Sequence, residues 1–236
     1  DNIHALKSLV LRGFHYEGDW KDEYAAAPVN AVMVRLQRGQ NVGLRVVGCR
    51  PEFPGCDGKW DRFTEGFDGK RGWELNWSKQ RLIRTVNKAQ EALKCGAEFL
   101  PLFVDYKQRG FKAEWLGPQS VLGKQTVAVR IDQEGCSSQT YYFNPATYVL
   151  EMNQAVIPVH ARGSLRPTLS VISKFITVNG VRWPSVTQST DLNTAEVLDG
   201  LLWSSVQANT ISDLKLFDPP MTHPVGSTQV ALNMLE

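Results

Sequence analysis

Four histidines are the residues most readily tied to chemistry, and their spacing matches none of the familiar sites. His4, His15, His160 and His223 lie far apart in the sequence, and none stands in an H-E-x-x-H or paired-ligand spacing. The chain also has no G-x-S-x-G segment that would place a nucleophilic serine. The sequence therefore predicts no metal site, no cofactor and no enzyme activity.

The segment from Gly117 to Gln125 resembles a phosphate-binding loop at first sight. It has one residue too many between its glycines, and Gln125 stands where a Ser or Thr would hold magnesium. It also lies between two predicted strands, whereas a phosphate loop opens a helix. We predict a hairpin turn here.

The four cysteines bear on the cellular compartment. An even number without a Cys-x-x-Cys pair favours structural disulfides over zinc or redox chemistry; four reduced, buried thiols are the alternative. Cys49 and Cys56 flank a turn-rich segment and are predicted to pair. Cys95 and Cys136, a helix end and a hairpin turn, form the second candidate pair.

Composition excludes some partner classes. With 26 basic and 24 acidic residues the net charge is only +2, which gives no electrostatic footprint for nucleic acid. No stretch of 18 apolar residues exists that would span a membrane. The chain begins at Asp1, as it would after removal of a leader or in a trimmed sequence.

Most of the chain has the pattern of short strands. Alternation is clear at Val32, Val34 and Leu36, and Asn179-Gly180 is a strong hairpin signal. We count ten or eleven strands and no linker that would divide the chain, so one domain over residues 1–236 is expected.

One segment, residues 78–94, is predicted to form a helix. Leu82, Val86, Ala89 and Leu93 give it an apolar stripe, with Ser78 as a candidate N-cap. This stripe is expected to face the hollow of the sheet.

Five phrases occur in an order and spacing that resemble the LolA-like family of outer-membrane lipoprotein-sorting proteins. They are FDGKRGW (67–73), LFVDYKQRGF (102–111), TYYFNPATYVL (140–150), VNGVRWP (178–184) and LFDPP (216–220). The resemblance implies a mainly β (α+β) fold, in which a strongly curved antiparallel sheet forms an unclosed half-barrel under a helical lid. It also implies a periplasmic protein, with its signal peptide removed, that holds acyl chains. The four cysteines depart from the family pattern, and no functional residue of the family could be carried over.

The expected function is to carry lipid or lipoprotein acyl chains in an apolar cavity between sheet and helix. A protein of the inner or outer membrane is a further expected partner. The alternative is a non-catalytic interaction or sensor module with a filled barrel. The residues predicted to contact the ligand are Val32, Val34, Leu36, Trp73, Leu75, Trp77, Leu82, Val86, Phe103 and Trp115.

Overall fold

The computed structural model describes residues 2–18, 29–38, 41–49, 63–76, 81–84, 87–159 and 164–219. Within these ranges the chain forms one antiparallel sheet of 13 strands and one α-helix, with short 3-10 helices at Asn2–Ala5 and Leu214–Phe217. The helix, α1, spans Asn87–Ala97. The strands are β1 (Ser8–Glu17), β2 (Val29–Arg38), β3 (Asn41–Cys49), β4 (Phe63–Phe67), β5 (Gly72–Asn76), β6 (Arg81–Arg84), β7 (Lys112–Val121), β8 (Lys124–Asp132), β9 (Gln139–Phe143), β10 (Leu150–Val159), β11 (Ser164–Val178), β12 (Val181–Asp191) and β13 (Val197–Ala208).

The strand order is β6-β5-β4-β3-β2-β1-β13-β12-β11-β10-β9-β8-β7. Among the described residues β6 and β7 are the two edges, so the sheet is not closed into a barrel. The mainly β, unclosed fold predicted from sequence is confirmed.

The contacts of α1 require the sheet to curl. The helix packs against β3 and also against β10, which are six positions apart in the strand order. In a flat sheet six spacings of about 4.8 Å would separate those strands by roughly 29 Å, whereas a helix of 11 residues is only about 16 Å long and about 10–12 Å across. The helix therefore lies in the hollow of a strongly curved sheet.

A disulfide fixes the helix in that hollow. Cys95, in the last turn of α1, is bonded to Cys136 in the β8–β9 connection, with 5.9 Å between their Cα atoms. The second cysteine pair predicted from sequence is thus present. Cys56 lies outside the described residues, so the Cys49–Cys56 pairing stays a prediction.

The predicted helix boundary at Ser78 is wrong. Leu82 lies in β6 and pairs with Leu75 of β5, and the helix begins only at Asn87. The apolar stripe was compatible with either structure, and pairing with β5 gives the backbone groups of residues 81–84 partners that local propensity does not reveal. Val86 lies outside the described residues.

Two predicted hairpin turns are confirmed. Asn179 and Gly180 join β11 to β12 with positive φ angles of 48° and 75°, as a type I′ turn requires. Leu122 and Gly123 join β7 to β8 with φ angles of 51° and 76°. The residues that resemble a phosphate loop therefore belong to two strands and a tight turn.

The sheet is covered on both faces at its centre. On the concave face Leu9 and Leu11 pack with Phe99 and Trp203, and on the convex face Val10 packs with Phe217. A strand buried on both sides has a continuous apolar run, which is the pattern of residues 9–11.

Candidate functional site

A cavity of about 600 Å³ lies between the concave face of the sheet and the segment that follows α1. This volume falls within the range of roughly 300–1,000 Å³ that is usual for ligand pockets. The segment from Cys95 to Phe103 forms one wall. The sheet forms the other wall with mostly apolar side chains: Leu11, Met33, Tyr141, Leu150, Ile172, Phe175, Val181, Trp183, Leu201 and Trp203.

The guanidinium group of Arg109 holds the segment above the cavity in place. Its Nη1 donates to the carbonyl oxygens of Pro101 and Val104, at 2.9 and 3.0 Å. Its Nη2 pairs with the carboxylate of Glu98, which also accepts a 2.9 Å hydrogen bond from Nε2 of Gln133. The Pro101 carbonyl also accepts from the Val104 N–H at 2.9 Å, so Arg109 reinforces a turn that lies outside regular helix or strand.

Aromatic contacts link this segment to the sheet. The ring of Phe103 lies 5.1 Å from that of Tyr141 and 5.4 Å from that of Phe143, both edge to face. Phe99 contacts Trp183 at 6.2 Å between ring centroids. Such aromatic pairs stabilise the fold beyond the burial of their apolar area, so they hold the segment against the sheet.

Tyr141 is a polar group within this wall. Its hydroxyl donates a 2.8 Å hydrogen bond to Oε1 of Gln139. Burial disfavours the phenolate and raises the pKa of Tyr141 to about 12. The side chain is therefore neutral at physiological pH.

Arg35 is a charged residue of the sheet that lines the cavity. It lies in β2 in register with Leu9, and its side chain lines the cavity beside Met33. Nε donates to the Met33 sulfur at 3.1 Å. Loss of hydration lowers the pKa of Arg35 to about 10, which leaves the group cationic at neutral pH.

Of the ligand contacts predicted from sequence, Phe103 lines the cavity. Trp73, expected to face inward, lies on the opposite side of the sheet: it shares a register row with Gly66, Arg45, Val34 and Val10, and Val10 belongs to the convex-face cluster. Its side chain is 1% exposed.

Trp115 lies on the concave side but at the edge. It is in register with Val129 of β8 and, through it, with Tyr141 of β9. With 64% of its surface exposed, it lies on the lip of the half-barrel, about two strand spacings from the cavity wall.

The remaining predicted contacts are described less fully. Val32, Val34 and Leu36 alternate in β2 with the cavity residues Met33 and Arg35. Leu75 and Leu82 pair in the β5–β6 hairpin. For these five residues the structure describes the backbone only, and Trp77 and Val86 lie outside the described residues.

Sequence reasoning missed Arg35 and the two cavity tryptophans, Trp183 and Trp203. Arg35 did carry a signal, because it interrupts an apolar strand in which the residues on both sides are valines or leucines. Trp183 follows the Asn179-Gly180 turn and lies in VNGVRWP (178–184), one of the five phrases that resemble the LolA-like family.

The described histidines form simple surface pairs. Nδ1 of His4 lies 3.2 Å from Asp105, and Nε2 of His15 lies 3.9 Å from Asp199. Within the described ranges, no group of three or more His, Cys, Asp or Glu side chains is placed to hold a metal ion. Nor do these ranges contain a helix long and apolar enough to cross a membrane.

Three solved structures share this architecture. A domain from Vibrio parahaemolyticus described as an outer membrane lipoprotein-sorting protein domain is 9% identical, with a TM-score of 0.60 over 90% of this chain and 89% of that one. A LolA superfamily protein from Nitrosomonas europaea is 14% identical, with a TM-score of 0.58 over 91% of both chains. The chain has a LolA-like fold. A DUF1329 family protein from Desulfovibrio piger matches this LolA-like fold too, at 8% identity and a TM-score of 0.63 over 92% of this chain and 91% of that one.

No protein-family model and no curated protein matches the sequence. The similarity to LolA-like proteins is therefore a similarity of fold and not of sequence. It bears out the half-barrel fold that the five sequence phrases predicted.

Proposed function

We propose that this LolA-like protein, as a single domain, carries a lipid or a lipoprotein by holding an acyl chain in the cavity, in the periplasm and without chemical change to the ligand. The observation that carries the proposal is the cavity of about 600 Å³ with its apolar walls. The Cys95–Cys136 disulfide supports an oxidising compartment. The neighbours described as lipoprotein-sorting or LolA superfamily proteins support the same class of ligand.

The energetics favour one chain over several. A single myristoyl chain associates with a membrane with a constant of about 10⁴ M⁻¹, or roughly 5.5 kcal/mol. Burying about seven methylenes at ~0.8 kcal/mol each matches that value, so this cavity can compete for one chain. Cargo with two or three chains is held more firmly by the bilayer, and its loading would need a membrane partner.

The test compares a variant that blocks the cavity with one that does not. Ile172 lines the cavity in β11, whereas Val156 of β10 is 39% exposed. We expect Ile172→Trp to weaken binding of a fluorescent fatty acid at least tenfold and Val156→Trp to leave it unchanged, with both variants folded by circular dichroism.

A second measurement uses the protein as purified. Mass spectrometry of an organic extract is expected to find co-purified acyl lipids in the parent protein and less of them in Ile172→Trp. If the fatty acid binds both variants equally, or binds none of the proteins at tens of micromolar, the carrier function is wrong and an interaction module with a filled barrel takes its place.

A further inference from the structure

Arg35 is a cation on an apolar wall without a counter-ion among the described residues. The Met33 sulfur that accepts from its Nε at 3.1 Å is a weak, uncharged acceptor. No carboxylate in the described part of the chain forms an ion pair with it. Withdrawing a charge from water without an anionic partner is unfavourable, so an anion that entered the cavity would lower the free-energy cost of burying Arg35.

The acidic residue that lines the cavity, on the wall opposite Arg35, is already neutralised. Glu98 is paired with Arg109 and accepts from Gln133 as well, so its charge does not compensate Arg35. Its pairing also keeps a carboxylate from repelling an anion that enters the cavity.

A second arginine lies at the same end of the sheet. Arg182 lines the cavity and is exposed, with its guanidinium 4.6 Å from the centroid of the Phe175 ring. β12 begins at Val181, and β2, three places away in the strand order, ends at Arg38. Because alternate strands run in opposite directions, Arg35 and Arg182 both lie near one edge of the hollow. Arg182 alternates in β12 with the cavity residues Val181 and Trp183, so it adds positive charge at that edge rather than inside the cavity.

We propose that the cavity selects single-chain amphiphiles with an anionic head group, whose carboxylate or phosphate oxygens accept hydrogen bonds from Arg35 while the chain lies along the apolar wall. Arg182 adds positive charge at the same edge of the hollow. This inference rests on the proposed function and adds to it the chemistry and the orientation of the ligand. A guanidinium forms paired hydrogen bonds with either kind of head group.

The test compares ligands that differ only at the head. Oleate, oleyl alcohol and oleoyl lysophosphatidic acid are titrated below their micellar concentrations by displacement of a fluorescent fatty acid from the intact protein. Oleate is expected to bind at least tenfold more tightly than the alcohol, because its carboxylate adds an opposite charge and a second acceptor oxygen for the guanidinium, which a hydroxyl lacks. The lysophosphatidic acid arm shows whether the site prefers phosphate or carboxylate.

Matched variants assign the preference to a residue. Arg35→Gln is expected to bring oleate to the affinity of oleyl alcohol, while Arg35→Lys restores part of the difference. Arg12, exposed on β1, is the control, since Arg12→Gln removes the same charge and should leave the preference intact. Unchanged binding of the alcohol by Arg35→Gln shows that its cavity is still formed.

The possible results test head-group recognition separately from the carrier function. Equal affinity of the parent protein for oleate and the alcohol, or an unchanged preference in Arg35→Gln, overturns head-group recognition and leaves the carrier function standing. Failure of all three lipids to bind overturns both. If Arg35→Gln does not fold, the comparison of oleate with the alcohol in the parent protein still decides.

Discussion

The indole N–H of Trp73 donates a 2.8 Å hydrogen bond to the backbone carbonyl of Phe217, 144 residues further along the chain. Both side chains are buried, Trp73 at 1% and Phe217 at 0% exposure. The bond joins β5, near one edge of the sheet, to the segment that covers the convex face of β1. Trp73 is therefore a structural residue, on the side of the sheet away from the cavity.

Replacing Trp73 with Phe should lower stability without affecting ligand binding. The change leaves the buried carbonyl of Phe217 without its donor, at a cost of about 1–3 kcal/mol. Urea unfolding measures the loss, with the exposed Trp115→Phe as a control expected to stay within about 0.5 kcal/mol. Weaker fatty-acid binding by folded Trp73→Phe would show that Trp73 belongs to the ligand-binding site, as the sequence pattern predicted.

Trp73 also shows which part of the fold the sequence could predict. Period-2 patterns located most strands, and the turn residues located the hairpins. The pattern could not say which side faces the hollow, because α1 covers one face and residues 211–217 the other, so both sides of the central strands are apolar. Arg35 was missed because its role depends on strands that only the tertiary structure brings together.

Removing the Cys95–Cys136 disulfide should cost about 4 kcal/mol of unfolding free energy. The bond closes a loop with a sequence separation of 41, and the estimate follows from the chain-entropy model. Denaturation of the Cys95→Ala, Cys136→Ala double variant tests it. A peptide map of the unreduced protein from periplasmic material tests both pairs. Free thiols at Cys95 and Cys136 would contradict the structure. Free thiols at Cys49 and Cys56 would contradict the pairing predicted from sequence.

Leu93 is the residue of the predicted apolar stripe whose side chain the structure describes, and the helix buries it. It is 3% exposed and packs with Phe67 and Ala97. Leu93→Ala should destabilise the protein by about 2–5 kcal/mol, whereas Lys94→Ala, at an exposed position, should have little effect. Equal melting temperatures for the two variants would mean that α1 does not pack in the hollow.

Tyr141 should make the fold sensitive to alkaline pH. Its pKa is raised to about 12 by burial, above the value of about 10 for an exposed tyrosine. The neutral form is thus favoured by folding, so its contribution is complete below pH 10 and is lost as the pH rises through 12. Ultraviolet titration of the parent and of Tyr141→Phe should differ by one tyrosine that ionises near pH 12; a difference near pH 10 would show that Tyr141 is accessible to water.

We propose that the acyl chain lies in the cavity beside Trp183 and Trp203, both of which line it. A brominated fatty acid quenches only the tryptophans that it contacts, so titration of the parent protein against the Trp183→Phe, Trp203→Phe double variant locates the chain. We predict saturable quenching in the parent protein and its loss in the double variant, while a fluorescent fatty acid still binds both. Equal fractional quenching in the two proteins, or none in the parent, would show that no acyl chain lies beside these tryptophans.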